Sequence, residues 1–207
     1  MKVLYYTNDK VVHSEIEDIL IHSNAKVNRV TTRPSLEFVK GEKFDYLISD
    51  RSRFIIPESV IDALGGKVVN LHPSYLPFNR GDQPLLWAAV EGTPFGVTIH
   101  KVNEKFDEGP IICQTRLSLS DDLSLKEAYK IMRNYMVSLF ETSWNSGEIA
   151  RVLESEDSML PNKSEEGSTR SRYQGRVAVR LLPFGWETTI KWLRDNREVF
   201  LSIDDKS

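Results

Sequence analysis

Residues 1–71 alternate short apolar runs with helix-like stretches, and this order restricts the fold more than any other feature of the chain. A strand buried on both faces, followed by a crossover helix, is the repeating unit of a parallel sheet. Val3-Leu4-Tyr5-Tyr6 predicts the first strand, with the polar turn Thr7-Asn8-Asp9-Lys10 after it. Val12, Ile16, Ile19 and Leu20 recur at three- and four-residue spacing, which predicts a helix with one apolar face. Val27–Val30 is a second strand interrupted by polar residues, and Tyr46-Leu47-Ile48 a third that ends in Ser49-Asp50-Arg51-Ser52. Pro57 suits the first turn of a helix, where its missing N–H costs nothing. Gly65-Gly66 closes that helix, and Lys67–Leu71 is the next strand. The expected class is α/β.

Beyond an irregular segment, His72–Gly81, a short helix is expected through Pro84, Leu85, Trp87 and Ala88, ending near Gly92. Val97–Lys101 alternates with period two and is expected to pair with Ile111–Gln114 across Glu108-Gly109-Pro110. Ser124-Leu125-Lys126-Glu127 has the form of a capping box. It opens a long helix through Ala128, Ile131, Met132, Tyr135, Leu139 and Phe140. Composition changes near Asn145, so we divide the chain into a first domain, 1–145, and a C-terminal extension, 146–207. The extension reads as a polar linker over 154–172, a short strand at Val177–Leu181 and a helix over Thr188–Arg197.

Charge excludes some classes of function. The chain has 27 Lys+Arg against 30 Asp+Glu, a net charge of -3, and 151–207 carries ten of each sign. No basic surface for nucleic acid is expected. No apolar run is long enough to span a bilayer or serve as a signal peptide, so a cytoplasmic protein without a membrane partner is expected. Cys113 stands alone and reads as a buried, small apolar residue. No His/Cys cluster has zinc spacing, and no metal is expected.

The chemistry is concentrated in Asn70-Leu71-His72-Pro73-Ser74-Tyr75-Leu76-Pro77, followed by Arg80-Gly81, Gly96-Val97-Thr98 and Asp107-Glu108-Gly109. Period two puts Asn70 and His72 on one side of a strand, at the carboxyl end where open α/β sheets bind ligands. Asp107, in a turn before another strand, can reach the imidazole from the side. An amide donor, an imidazole and an orienting carboxylate suit acyl transfer to an amine. Two of them can stabilise an oxyanion while the imidazole takes the proton that the amine loses.

In these elements and their order the sequence resembles the folate-dependent formyltransferases, over roughly residues 1–140. The resemblance implies a Rossmann-like, mostly parallel sheet flanked by helices, and 10-formyltetrahydrofolate as the formyl donor. It implies Asn70, His72 and Asp107 as the catalytic set. It places the pterin against Phe54-Ile55-Ile56 and against Val102, Asn103, Glu104, Lys105 and Phe106. The acceptor would face the first strand's turn, with Asn8 and Lys10. That turn has no glycine, unlike the phosphate-holding turn of glycinamide ribonucleotide formyltransferase. Pro77–Trp87 is similar to sugar N-formyltransferases, which act on nucleoside-diphosphate amino sugars such as 4-amino-4,6-dideoxyhexoses linked to dTDP or UDP. The purine enzyme is the alternative, and methionyl-tRNA formyltransferase ranks below both.

Each candidate also has a plain structural role. Asp107 before Gly109 reads equally as a turn former. Lys10 and Arg80 are candidates for the acceptor's diphosphate, or solvated charges. Tyr75 and Trp87 can stack on a base or sugar, or pack in a core. His100 is taken as mainly structural, and His13 and His22 as surface residues. Trp186, Ile190, Trp192 and Leu193 give the extension apolar surface, which is expected to pack on the catalytic domain or to form a homodimer.

Overall fold

The computed structural model describes residues 1–8, 14–155, 160, 162 and 175–202, the side chain of Arg176 excepted. Lys10, Val12, His13 and most of 154–172 lie outside the described residues. In chain order the elements are β1 (Lys2–Tyr6), α1 (Glu15–His22), β2 (Lys26–Val30), α2 (Leu36–Glu42) and β3 (Tyr46–Asp50). Next come α3 (Glu58–Ala63), β4 (Val68–His72), α4 (Pro84–Glu91), β5 (Phe95–Lys101) and β6 (Ile111–Leu117). The last are α5 (Leu125–Asn145), α6 (Glu148–Ser155), α7 (Gly175–Arg180), α8 (Ile190–Asp195) and α9 (Arg197–Leu201).

The strands form one six-stranded sheet in the order β2-β1-β3-β4-β5-β6. β1 pairs in parallel with β2 and β3, and β3 with β4, while β4 and β5 are antiparallel. The expected α/β class and mostly parallel sheet are present. From β1 the chain first builds β2 on one side and then β3 on the other. In open α/β sheets ligands bind beyond the carboxyl ends of the strands at such a reversal, here between β1 and β3 with β4 next to them.

The chain falls into two compact units. The first comprises Met1–His72, Thr98–Cys113 and Val137–Asn162. Its core takes alternate residues of the strands: Leu4, Tyr6, Leu47 and Val68 join Val39, Phe44, Ile56, Val60, Ile61 and Leu64 in one cluster. The opposite sheet face carries Tyr46, whose ring meets Trp144 edge-on at 5.6 Å, and Phe140 stacks on Trp144 at 5.6 Å. The second unit comprises Pro73–Val97, Gln114–Met136 and Lys163–Ser207. In it, α8 and α9 pack on α4, which is buried from Pro84 to Val90.

Several local expectations agree with the structure, and others are corrected. The capping box is formed: Ser124 Oγ accepts from Glu127 N at 3.2 Å, and Glu127 Oε2 accepts from Ser124 N at 2.9 Å. α2, which the sequence reading missed, is capped by Ser35 Oγ accepting from Phe38 N at 3.2 Å. Of the run Val177–Leu181, expected as a strand, Val177–Arg180 belongs to helix α7, and Leu181 lies in the turn that follows. Two valines favour a strand by composition, but Ala178 is buried with Leu182, four residues on and just past the helix, while Val177 and Leu181 are exposed. The single helix expected over Thr188–Arg197 is two short ones, the first capped by Thr189. On α5, Tyr135 is exposed, because the buried stripe runs through Leu125, Ala128, Met132, Met136 and Phe140. Ile190 and Leu193 are fully buried in the second unit, and the large apolar residues exposed in its C-terminal part, among the described residues, are Val177, Leu181, Phe184 and Val199. Among the described residues, no helix is long and apolar enough to cross a membrane.

Cys113 is only half-buried, and its thiol donates to Ser143 Oγ at 3.5 Å. Burial still pushes the thiol up to about 11, since the thiolate loses hydration. At pH 8, alkylation of this cysteine should be on the order of a hundredfold slower than that of an unhindered thiol, as followed by iodoacetamide labelling and mass measurement. Labelling at the unhindered rate would contradict this. Leu47, at 0% exposure in the sheet centre, tests the core. Leu47→Ala should lower the unfolding free energy by about 2–5 kcal/mol in urea titration, and a loss below about 1 kcal/mol would contradict the packing described.

Candidate active site

The candidate site lies wholly in the first unit. β4 is apolar at Val68, Val69 and Leu71, and its alternation brings Asn70 and His72 to one side at its carboxyl end. β5 runs antiparallel beside it, with Asn70 directly opposite His100 and His72 opposite Thr98. Register alone therefore sets an amide and two imidazoles side by side. His72 is 4% exposed and His100 2%. Their rings meet edge-to-face with centroids 6.3 Å apart.

Asp107 closes the group from the loop that joins β5 to β6. Its Oδ1 accepts from Asn70 Nδ2 at 3.1 Å and lies 3.4 Å from His100 Nε2. Its Oδ2 lies 3.5 Å from His72 Nδ1. His100 Nδ1 donates to Lys101 O at 2.9 Å, so a neutral His100 carries its hydrogen there and offers the Nε2 lone pair to Asn70 Nδ2 at 3.2 Å. Both hydrogens of the Asn70 amide are thus engaged within the cluster. His100, read from the sequence as mainly structural, touches two of the three expected residues. Finding it needs the β4–β5 register, which local periodicity does not supply.

The loop's shape explains its residues. Asp107 has φ +49°, the left-handed region that Asp tolerates better than most side chains. Gly109 serves close approach: a Cβ there would stand 1.7 Å from Lys101 O. Lys101 N donates to Pro110 O at 2.9 Å and closes the loop at its base.

Other candidates fall out differently. Asn8 has its amide occupied, Nδ2 donating to Thr31 O at 2.8 Å and Oδ1 accepting from Arg53 N. It therefore ties the end of β1 to the segment that leads into Phe54. Phe54 is 55% exposed and Ile55 37%, whereas Ile56 is buried in the core and so turned from any ligand. Val102 packs against that same core, and Asn103 Oδ1 accepts from Lys105 N at 3.1 Å, making a turn. Glu104 and Lys105 are exposed, and Phe106 is half-buried. Two loops rooted in one core thus leave Phe54 and Ile55 uncovered, which fits a flat, partly apolar ring system such as a pterin.

Tyr75, Arg80 and Trp87 belong to the second unit. Trp87 is 0% exposed, so its ring is a packing element of α4 and offers no face for stacking, contrary to one of its two expected roles. Arg80 is buried and Tyr75 half-buried. Tyr75 lies where a Cβ on Gly96 would come within 2.8 Å of it, a contact that glycine alone permits.

The sequence reading missed Asp50, which is 1% exposed at the end of β3. Its Oδ2 accepts from Tyr5 Oη at 2.8 Å and lies 3.5 Å from Arg51 Nε, and Tyr5 Oη is 2.7 Å from Ser14 Oγ. An Asp in a polar cluster after a short apolar run looks like loop, and nothing in the local pattern marks it as a buried, paired carboxylate. Asn162 was missed as well. It is 6% exposed, and Nδ2 donates to Asp107 O at 2.7 Å and to Gly109 O at 3.0 Å.

Comparison with known proteins gives the family. The family model described as formyl transferase matches residues 14–141. Methionyl-tRNA formyltransferase of Fusobacterium nucleatum is 31% identical over 200 residues, 92% of this chain and 58% of that protein. dTDP-4-amino-4,6-dideoxyglucose formyltransferase of Mycobacterium tuberculosis is 36% identical over 78 residues, 38% of this chain and 32% of that protein. The chain thus spans about a third to somewhat over half the length of these curated relatives. Among solved structures, the formyltransferase PseJ from Anoxybacillus kamchatkensis, in complex with UDP-4,6-dideoxy-4-formamido-L-AltNAc and tetrahydrofolate, superposes with a TM-score of 0.79. That likeness covers 95% of this chain and 100% of PseJ at 24% identity, and it shows a shared fold. The matched family spans more than half of the chain and includes Asn70, His72, His100 and Asp107: this protein belongs to the formyl transferase family.

Proposed function

We propose that the chain moves a formyl group from 10-formyltetrahydrofolate to the amino group of a nucleoside-diphosphate amino sugar, of the kind of a 4-amino-4,6-dideoxyhexose carried on dTDP or UDP. The observation that supports this most is the convergence of Asn70, His72 and Asp107 at the carboxyl end of β4. The names of the Mycobacterium relative and of PseJ, both sugar-nucleotide enzymes, favour the acceptor class.

In this reading the folate supplies an activated formyl group on a nitrogen that can leave. Phe54 and Ile55 give its pterin an apolar surface, and the backbone of Val102–Phe106 holds its edge. Asn70 exchanges its 3.2 Å bond to His100 for one to the formyl oxygen, where negative charge develops as the amine attacks. Asp107 keeps the His72 ring oriented through Nδ1 and favours its protonated form by proximity of opposite charge. His72 takes up the proton that the amine loses and passes it to the folate nitrogen as the bond from that nitrogen to the formyl carbon breaks. We read the protein as a cytoplasmic homodimer formed through the 146–207 extension, whose product feeds polysaccharide synthesis. The exposed Val177, Leu181 and Phe184 support that interface.

One observation favours a second reading, methionyl-tRNA formyltransferase: the Fusobacterium protein matches over 92% of this chain. The donor and the catalytic group would be the same, so only the acceptor separates the two. Purified protein offered 10-formyltetrahydrofolate with dTDP-, UDP- and GDP-linked amino sugars, methionyl-tRNA and glycinamide ribonucleotide should formylate an amino sugar, detected as its mass gain. Formylation of methionyl-tRNA or of the purine precursor alone would overturn the sugar reading. Asn70→Ala and His72→Ala should each lower turnover on the order of a hundredfold to a thousandfold while nucleotide-sugar binding stays near native. Near-native turnover in either variant would contradict the role given to it.

A further inference from the structure

We propose that Asn162 is a positioning residue that holds Asp107 in its working geometry from outside the region that carries the family's motifs. The family match ends at residue 141, so nothing assigned by it reaches this side chain. The proposal rests on the reading of Asp107 as the carboxylate that orients His72.

Three observations carry it. Asn162 is 6% exposed, and its single amide nitrogen donates to two carbonyls of the same loop, Asp107 O at 2.7 Å and Gly109 O at 3.0 Å. An amide NH2 has two hydrogens, so both are used, and the two carbonyls are drawn towards one point. Between them lies the loop's most constrained region: Asp107 at φ +49°, and Gly109 against Lys101 O, with no room for a Cβ. A non-glycine residue in the left-handed region is disfavoured and persists only where its surroundings hold it.

Asn162 is itself anchored. Leu160 forms an isolated bridge with Ile111 at the start of β6, Ile111 N donating to Leu160 O and Leu160 N to Ile111 O, each at 3.0 Å. The Leu160 side chain is 53% exposed, so this residue contributes backbone and little packing. The bridge aligns Asn162 with the loop, and Asn162 fixes the carbonyls on either side of Glu108. The carboxylate of Asp107 then stays between Asn70, His72 and His100. A displacement of about 1 Å at such a group can lower a rate on the order of a hundredfold. Replacing the amide by an apolar group of similar size also leaves two buried carbonyls without these donors.

The test needs no substrate. In the full-length protein, the ring resonances of His72 are followed by NMR through a pH titration in four forms: native, Asp107→Asn, Asn162→Leu and the double variant. His72 faces the carboxylate of Asp107 and the His100 ring. Removing the carboxylate charge should lower its titration midpoint by roughly one unit. Asn162→Leu should lower it in the same direction, and the double variant should match Asp107→Asn, because the amide acts through the carboxylate. Turnover of dTDP-4-amino-4,6-dideoxyglucose should follow: Asn162→Leu lowers kcat roughly tenfold to a hundredfold with little change in KM, and adds nothing to the loss in Asp107→Asn. Should Asn162→Leu fail to fold, Asn162→Ser, which keeps one donor, should give a smaller shift in the same direction. A His72 titration in Asn162→Leu or Asn162→Ser that superposes on the native one overturns the proposal, as do losses that multiply in the double variant. If Asp107→Asn leaves the His72 titration unchanged, the pairing of Asp107 with His72 is itself wrong, and the proposal falls with it.

Discussion

The site depends on one carboxylate. Asp107 accepts from Asn70 with one oxygen and faces His72 with the other, and His100 lies against the first oxygen. Without it, the amide and the two nearly buried imidazoles would lose the acceptor that all three face. The sheet supplies three of the four groups by register alone, since β4 and β5 are paired and Asn70 stands opposite His100. The fourth comes from a loop, and loops do not hold such positions unaided. Here the loop is pressed against the end of β5 at Gly109, closed by Lys101 and Pro110, and gripped by Asn162.

Much of this is legible in the chain because the strands and the chemistry use the same periodicity. Buried parallel strands read as apolar runs, which makes β1, β3 and β4 visible, and period two by itself makes Asn70 and His72 neighbours on one side of β4. The capping box at Ser124 is visible for a similar reason: its bonds are local to four residues. The misses share a different physics. Ala178 and its valines have a strand's composition, but the burial of Ala178 and Leu182 follows a helix. Asp50 and Asn162 derive their importance from partners far along the chain, Tyr5 and Asp107, and no local pattern encodes those contacts. His100 lies between these cases, since β4 and β5 are each recognisable but their pairing and its register are not.

The acceptor is decided by less of the structure than the chemistry is. The family match covers all four residues of the cluster, while the relatives carry names with different acceptors, dTDP-4-amino-4,6-dideoxyglucose formyltransferase and methionyl-tRNA formyltransferase. Asn8, expected to meet the acceptor, instead uses both ends of its amide to join the end of β1 to the segments at Thr31 and Arg53. It acts on Phe54 and Ile55 by placing the segment that carries them. Trp87 likewise serves packing.

The central claim is that a folate presents its formyl group where Asn70 and His72 converge. A crystal structure of the protein with tetrahydrofolate and a nucleoside-diphosphate amino sugar tests it most directly. The account predicts the pterin against Phe54 and Ile55, with the formyl-bearing nitrogen and the sugar amine both beside the Asn70 amide and the His72 ring, and Asp107 still paired to that ring. A folate held elsewhere, or the amine directed away from Asn70 and His72, would contradict it.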